Sequence, residues 1–196
     1  MNARDEILGR VRQALRDAGP VPTVDRGYRS RAALAGDVLD LFAQRVADYR
    51  AVVVRCALPE VADRIAAALD GGTAIVPGDL PWRVDGAVVD VGQSAADLDQ
   101  MDAVVTGATV GIALTGTIVL DHGPGQGRRA LSLVPDLHVC VVTADQVVHG
   151  VHDAITRLDP ARPQTWISGP SATSDIELQR VEGVHGPRTL HVLLAD

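Results

Sequence analysis

Residues 167–194, ISGPSATSDIELQRVEGVHGPRTLHVLL, decide the fold. An apolar run ends at Ser168-Gly169-Pro170-Ser171. A short helix follows, with Ser174 and Glu177 spaced as a capping box. A second tight turn, Gly183-Val184-His185-Gly186-Pro187, then leads into another apolar run. Apolar strands separated by a helix predict a parallel sheet covered on both faces. Packing alone does not require so much glycine, proline and hydroxyl chemistry beside two core strands. A small polar ligand is expected to meet the backbone here.

The same alternation extends outward. Strand-like runs fall at 51–56, 73–76, 87–90, 103–105, 117–121, 138–143, 164–168 and 189–194. Helical patterns fall at 3–17, with Ile7, Val11 and Leu15 on one stripe, and at 37–49, 59–70 and 144–158. Pro59 opens the third of these and Gly71-Gly72 closes it, while Thr143 and Gln146 form a capping box for the fourth. The prediction is a three-layer α/β domain with a mostly parallel sheet over 37–196. An N-terminal helix and linker precede it over 1–36.

The 196 residues carry a formal charge of -7, 46% hydrophobic residues and 22% charged ones. This is a globular composition with no apolar run long enough for a membrane span. The charged N-terminus lacks a signal-peptide core, so a cytoplasmic location is expected. The acidic balance and the lack of a basic, aromatic-interleaved stripe argue against nucleic-acid binding. All 18 basic residues are arginines. With no lysine, Schiff-base chemistry and a phosphate-loop lysine are excluded, and any anion must be held by arginine, histidine or backbone. Cys56 and Cys140 sit in apolar runs, read as buried thiols, and are too few for the four thiolates of an iron–sulfur cluster. No cofactor is expected on this chain.

In an open parallel sheet, ligands bind beyond the carboxyl ends of the strands. Three loops are expected there: Thr106–Gly111, leading to Thr115-Gly116-Thr117; Asp121–Arg129; and Ser168–Thr173. In the second loop, Arg128 and Arg129 are a possible carboxylate clamp, since the guanidinium fork matches a carboxylate with paired hydrogen bonds. The alternative is a solvated turn whose arginines pair with surface acids. In the third, the Ser171 and Thr173 hydroxyls and the Gly169 amide are possible ligand donors, with Asp175 at the helix start. Simple capping by the acids is the alternative. His149, His152 and Asp153 share a helix face, but no third ligand is placed, so no metal is expected. His185, between glycines, is the candidate general base. If its strand is parallel to its neighbours, however, its turn lies at the opposite edge from the three loops.

Taken together, TGTIVL (115–120), GPGQGRRALSLVPDLHVCVV (123–142), ISGPSATSDIE (167–177) and GVHGPR (183–188) resemble the lactate-utilization protein C family, also called the LUD domain. The resemblance runs from about residue 38 to the end, and its motifs appear in order. It implies a fold similar to the NagB/RpiA/CoA-transferase-like group. It also implies a role in oxidising L-lactate to pyruvate beside iron–sulfur partner proteins, with this chain binding a small carboxylate or cofactor. Thr115, Gly116, Thr117, Arg128, Arg129, Ser168, Gly169, Pro170, Ser171, Thr173 and Asp175 are the expected ligand contacts. Leu114 departs from the polar residue common in relatives, so no proton-transfer role is carried onto it. The alternatives are a stand-alone transferase or ligase on CoA, sugar-phosphate or folate substrates, and a non-catalytic scaffold. Turnover by the purified chain alone would mark the first, and assembly that depends on the N-terminal helices the second.

Overall fold

A computed structural model of the chain describes residues 2–19, 22–24, 36–170 and 186–196. It divides into two compact units, residues 1–33 and 34–196. In the first, helix α1 (Ala3–Ala14) is capped by Asn2, whose side chain accepts from the Asp5 amide at 2.9 Å. No described helix is long and apolar enough to cross a membrane.

The second unit opens with α2 (Val38–Asp48), capped by Asp37, then β1 (Val52–Cys56) and α3 (Val61–Leu69). The strands β2 (Ala74–Val76) and β3 (Val88–Val89), the short helix α4 (Ala95–Leu98) and β4 (Ala103–Thr106) follow. Next come β5 (Val110–Ile112), β6 (Thr117–Leu120), β7 (Leu137–Thr143) and β8 (Val147–Val148). Helix α5 (Val151–Ile155), β9 (Thr165–Ile167) and β10 (Thr189–Ala195) complete the unit.

Six strands form one parallel sheet in the order β1-β10-β7-β4-β2-β3. Alternation along β7 explains why both its faces are apolar. Val139 and Val141 point to the face covered by α3, with Val61 and Ile65. Cys140 and Val142 point to the other, where Phe42 and Val46 of α2 pack with Ile118 and Leu120 of β6. Phe42 is fully buried, and its ring lies so close to Gly111 that a Cβ there would come within 3.0 Å. Burying such a ring stabilises the fold by about 2–3 kcal/mol.

The three layers are as expected, but one of them is not purely helical. A second sheet, β8-β5-β6-β9, covers the Cys140 face together with α2. In it β6 runs antiparallel to both β5 and β9. The second sheet was not read from the sequence, for two reasons. The tripeptide Val110–Ile112 is a strand inside what reads as a glycine loop, and Thr165–Ile167 is too short to show its own direction.

The predicted helix 144–158 is also corrected. Gln146 Oε1 does accept from the Thr143 amide at 2.9 Å, but this cap closes a single 3₁₀ turn. The chain then extends as β8, because Val147 and Val148 pair with Gly111 and Ile112. Gly150 intervenes before α5. His149 therefore precedes that helix and shares no helical face with His152 and Asp153.

Candidate functional site

The three loops do not gather at one edge. The first two do meet beyond the carboxyl end of β4, where the Gly107 amide donates to the Gly125 carbonyl at 2.7 Å. There Thr109 Oγ1 donates to Asp121 Oδ1 (2.7 Å), Gln126 Nε2 donates to Thr109 Oγ1 (2.8 Å), and Arg162 pairs with Asp121 Oδ2 (3.1 Å). The buried Asp121 is thus satisfied from several sides, and the loop is braced by its own side chains.

The third loop leaves β9 at the other end of the second sheet, because β9 is antiparallel to β6. It lands beside the start of β6, where the Thr117 and Ser168 hydroxyls are 2.9 Å apart and Thr115 Oγ1 is 2.8 Å from Thr117 Oγ1. Two glycines let both segments press on the end of α2. Gly116 has φ +60, and a Cβ there would lie 2.6 Å from the Arg45 carbonyl. Gly169 has φ +80, and a Cβ there would lie 2.6 Å from Tyr49 Cβ.

A cavity of about 280 Å³ opens between this loop and the amino-terminal ends of β7 and β10. His138 and Leu190, paired in register, line it from the parallel sheet. Thr165 through Pro170 form one wall, and Gly186-Pro187 face them, with Arg129 and Ser132 completing the lining. Strand β10 is parallel to its neighbours, so Gly186-Pro187, just before it, lie at the amino edge. Strand β9 brings Ser168–Pro170 to that same edge from the second sheet.

Of the expected site residues, Thr115, Gly116 and Thr117 adjoin Ser168, while Arg129, Ser168, Gly169 and Pro170 line the cavity. Arg128 turns elsewhere: its Nε lies 3.0 Å from Asp90 Oδ2 and its Nη2 donates to the Gln93 carbonyl at 2.7 Å. Among the described residues, none makes a hydrogen bond or ion pair with the Arg129 guanidinium; Ser132 Oγ donates to the Arg129 backbone carbonyl at 3.3 Å. Ser171, Thr173, Asp175 and His185 lie outside the described residues, as does the Ser174–Glu177 capping box.

Among the lining residues not singled out from the sequence are Ser132, His138, Thr165 and Trp166. His138 is 1% exposed, and burial lowers its pKa to about 4, so its ring is neutral at pH 7. Its Nε2 is 2.8 Å from Thr106 Oγ1. The sequence signal was available: alternation in HVCVV puts His138 on the Cys140 face of a core strand. Thr165 is held from behind by His122. Nδ1–H of that ring donates to the Gly127 carbonyl (3.0 Å), which can only accept, and Nε2 lies 3.1 Å from the Thr165 hydroxyl.

Among the described residues, no aspartate or glutamate lines the cavity and the one permanent charge on it is the Arg129 guanidinium. The lining therefore favours an anion over a cation. Cysteine chemistry lies elsewhere. Cys56 and Cys140 are buried in core clusters on opposite faces of the parallel sheet and cannot share an iron–sulfur cluster. Burial pushes the Cys140 thiol up to about 12. Among the described residues, no three His, Cys, Asp or Glu side chains come together as a metal site requires.

Comparison with known proteins places this architecture. The LUD domain model matches residues 45–195. Lactate utilization protein C of Deinococcus radiodurans is 44% identical over 98% of this chain and 95% of its own length. The uncharacterized protein YkgG of Escherichia coli is 26% identical over 80% of this chain and 79% of its own. A crystal structure of a DUF162 family protein from D. radiodurans superposes with a TM-score of 0.70 at 40% identity, covering 81% of this chain and 96% of that one.

Proposed function

The chain belongs to the LUD domain family, and from that premise we propose that it is a subunit of an L-lactate utilization system that holds a small carboxylate in the cavity beside Arg129. One observation carries the site: a cavity of about 280 Å³ whose permanent charge, among the described residues, is a single arginine, beside neutral hydroxyls and a neutral imidazole. Its volume is just below the roughly 300–1,000 Å³ of pockets for drug-sized ligands, which suits a small acid. The near-full-length likeness to a lactate utilization protein supplies the substrate class.

In this reading the Arg129 guanidinium meets the carboxylate. Ser168 Oγ, already tied to Thr117, offers a hydroxyl at the wall. Oxidation of L-lactate to pyruvate releases two protons and two electrons. The electrons pass to iron–sulfur partner proteins; the two cysteines here are too few for a cluster and lie on opposite faces of the parallel sheet.

Growth tests the assignment. Deleting the gene in a host without a paralogue abolishes growth on L-lactate while leaving growth on pyruvate intact. Wild-type sequence restores it and Arg129→Ala does not. Normal growth of the deletion strain on L-lactate would contradict the reading.

A further inference from the structure

His138 begins a chain of groups with a definite direction. Its Nε2 is 2.8 Å from Thr106 Oγ1, that oxygen is 3.8 Å from Cys140 Sγ, and the sulfur is 3.7 Å from the Gly107 carbonyl oxygen. A carbonyl can only accept. Cys140 is fully buried and stays a thiol, so its S–H points to Gly107 and its sulfur accepts from the Thr106 hydroxyl. The Thr106 oxygen then accepts from Nε2–H. This order makes three hydrogen bonds. The reverse, with Thr106 donating to Nε2, makes two and turns Nδ1 into a donor. Among the described residues nothing bonds Nδ1, although the ring is 1% exposed and lines the cavity. A ring nitrogen without a protein partner on a cavity wall is open to a ligand donor.

We propose that His138 is held as its Nε2–H tautomer and presents Nδ1 as an acceptor in the cavity, selecting a small 2-hydroxy carboxylate over the corresponding 2-keto acid. The selection presupposes the carboxylate site proposed above. With the acid on Arg129, a 2-hydroxyl donates to Nδ1. A keto oxygen has no hydrogen to give and sets its lone pairs against those of the nitrogen. A site built to accept from a hydroxyl rejects the analogue lacking it, because the buried acceptor is then left unpaired.

Calorimetric titration of the full-length protein with L-lactate, pyruvate and propionate tests this. L-lactate should bind at least about tenfold more tightly than either of the others. Thr106→Val keeps the imidazole but frees its tautomer, and His138→Phe removes the acceptor. In both, the three affinities should converge to within about threefold while Arg129 dependence persists. Should His138→Phe fail to fold, Thr106→Val decides, and nitrogen NMR shifts of the wild-type ring report directly which nitrogen carries the proton. A protonated Nδ1 in the unliganded protein, or pyruvate binding as tightly as L-lactate, overturns the selection but leaves the carboxylate site standing. If none of the three acids binds, the carboxylate reading falls and this inference falls with it.

Discussion

The side-chain oxygens of Thr117 and Ser168 stand 2.9 Å apart, joining segments 51 residues distant in sequence. That contact exists because β6 and β9 are antiparallel neighbours in the second sheet. It sets Ser168 at the cavity wall. Thr117→Val and Ser168→Ala are each expected to cost about 1 kcal/mol. Because the two residues share one bond, the double variant should cost less than the sum by about 0.5 kcal/mol or more. Urea denaturation of the four proteins measures this.

Gly116 has the least freedom to change. Alanine there must adopt φ +60 and push its Cβ to 2.6 Å from the Arg45 carbonyl. The expected loss is at least about 2 kcal/mol, visible as a lowered melting temperature, with affinity for carboxylates also reduced because Thr115 and Thr117 move. Gly9, with nothing within 4 Å of a built Cβ, is the control: alanine there should leave the melting temperature unchanged or raise it.

The neighbouring arginines should separate in their effects. Arg128→Ala removes the partner of Asp90 and should destabilise by about 1–2 kcal/mol, with carboxylate binding nearly unchanged. Arg129→Ala should alter stability by less than about 0.5 kcal/mol and weaken carboxylate binding about tenfold or more. Melting curves and titrations of both variants decide between this division and a shared clamp.

Acid should reveal His138. Its folded pKa of about 4 lies below the ordinary 6.5, so the unfolded chain binds a proton the folded one refuses. Stability is full above pH 6.5 and falls as the pH drops from there toward 4. The loss between pH 7.5 and pH 5 is about 2 kcal/mol. His191, lowered by burial, adds in the same direction. Asp97 and Asp102, lowered by hydrogen bonds from Ser94 and Thr73, lose their contributions only at more acid pH. Urea midpoints at pH 7.5 and 5 for wild type and His138→Phe test this, and the variant should lose distinctly less.

Much of the fold was legible because its determinants are local. The Pro59 start and Gly71-Gly72 end around α3 are written in consecutive residues, and so are the uninterrupted runs of β7 and β10. The second sheet was not legible. Val110–Ile112, Val147-Val148 and Thr165–Ile167 are two or three residues long, and their partners, not their composition, make them strands. The same non-local pairing explains the site. Arg129 and Ser168 are chemically conspicuous in the sequence, and both line the cavity. His138 reads as one more residue of a core strand until the second sheet frames a cavity over it.

The most direct measurement is a crystal structure of the protein soaked with L-lactate. The account predicts lactate in the cavity, with its carboxylate at the Arg129 guanidinium and its hydroxyl within hydrogen-bond distance of His138 Nδ1. Lactate bound instead beside Gly107 and Gly125, beyond the carboxyl end of β4, would contradict it.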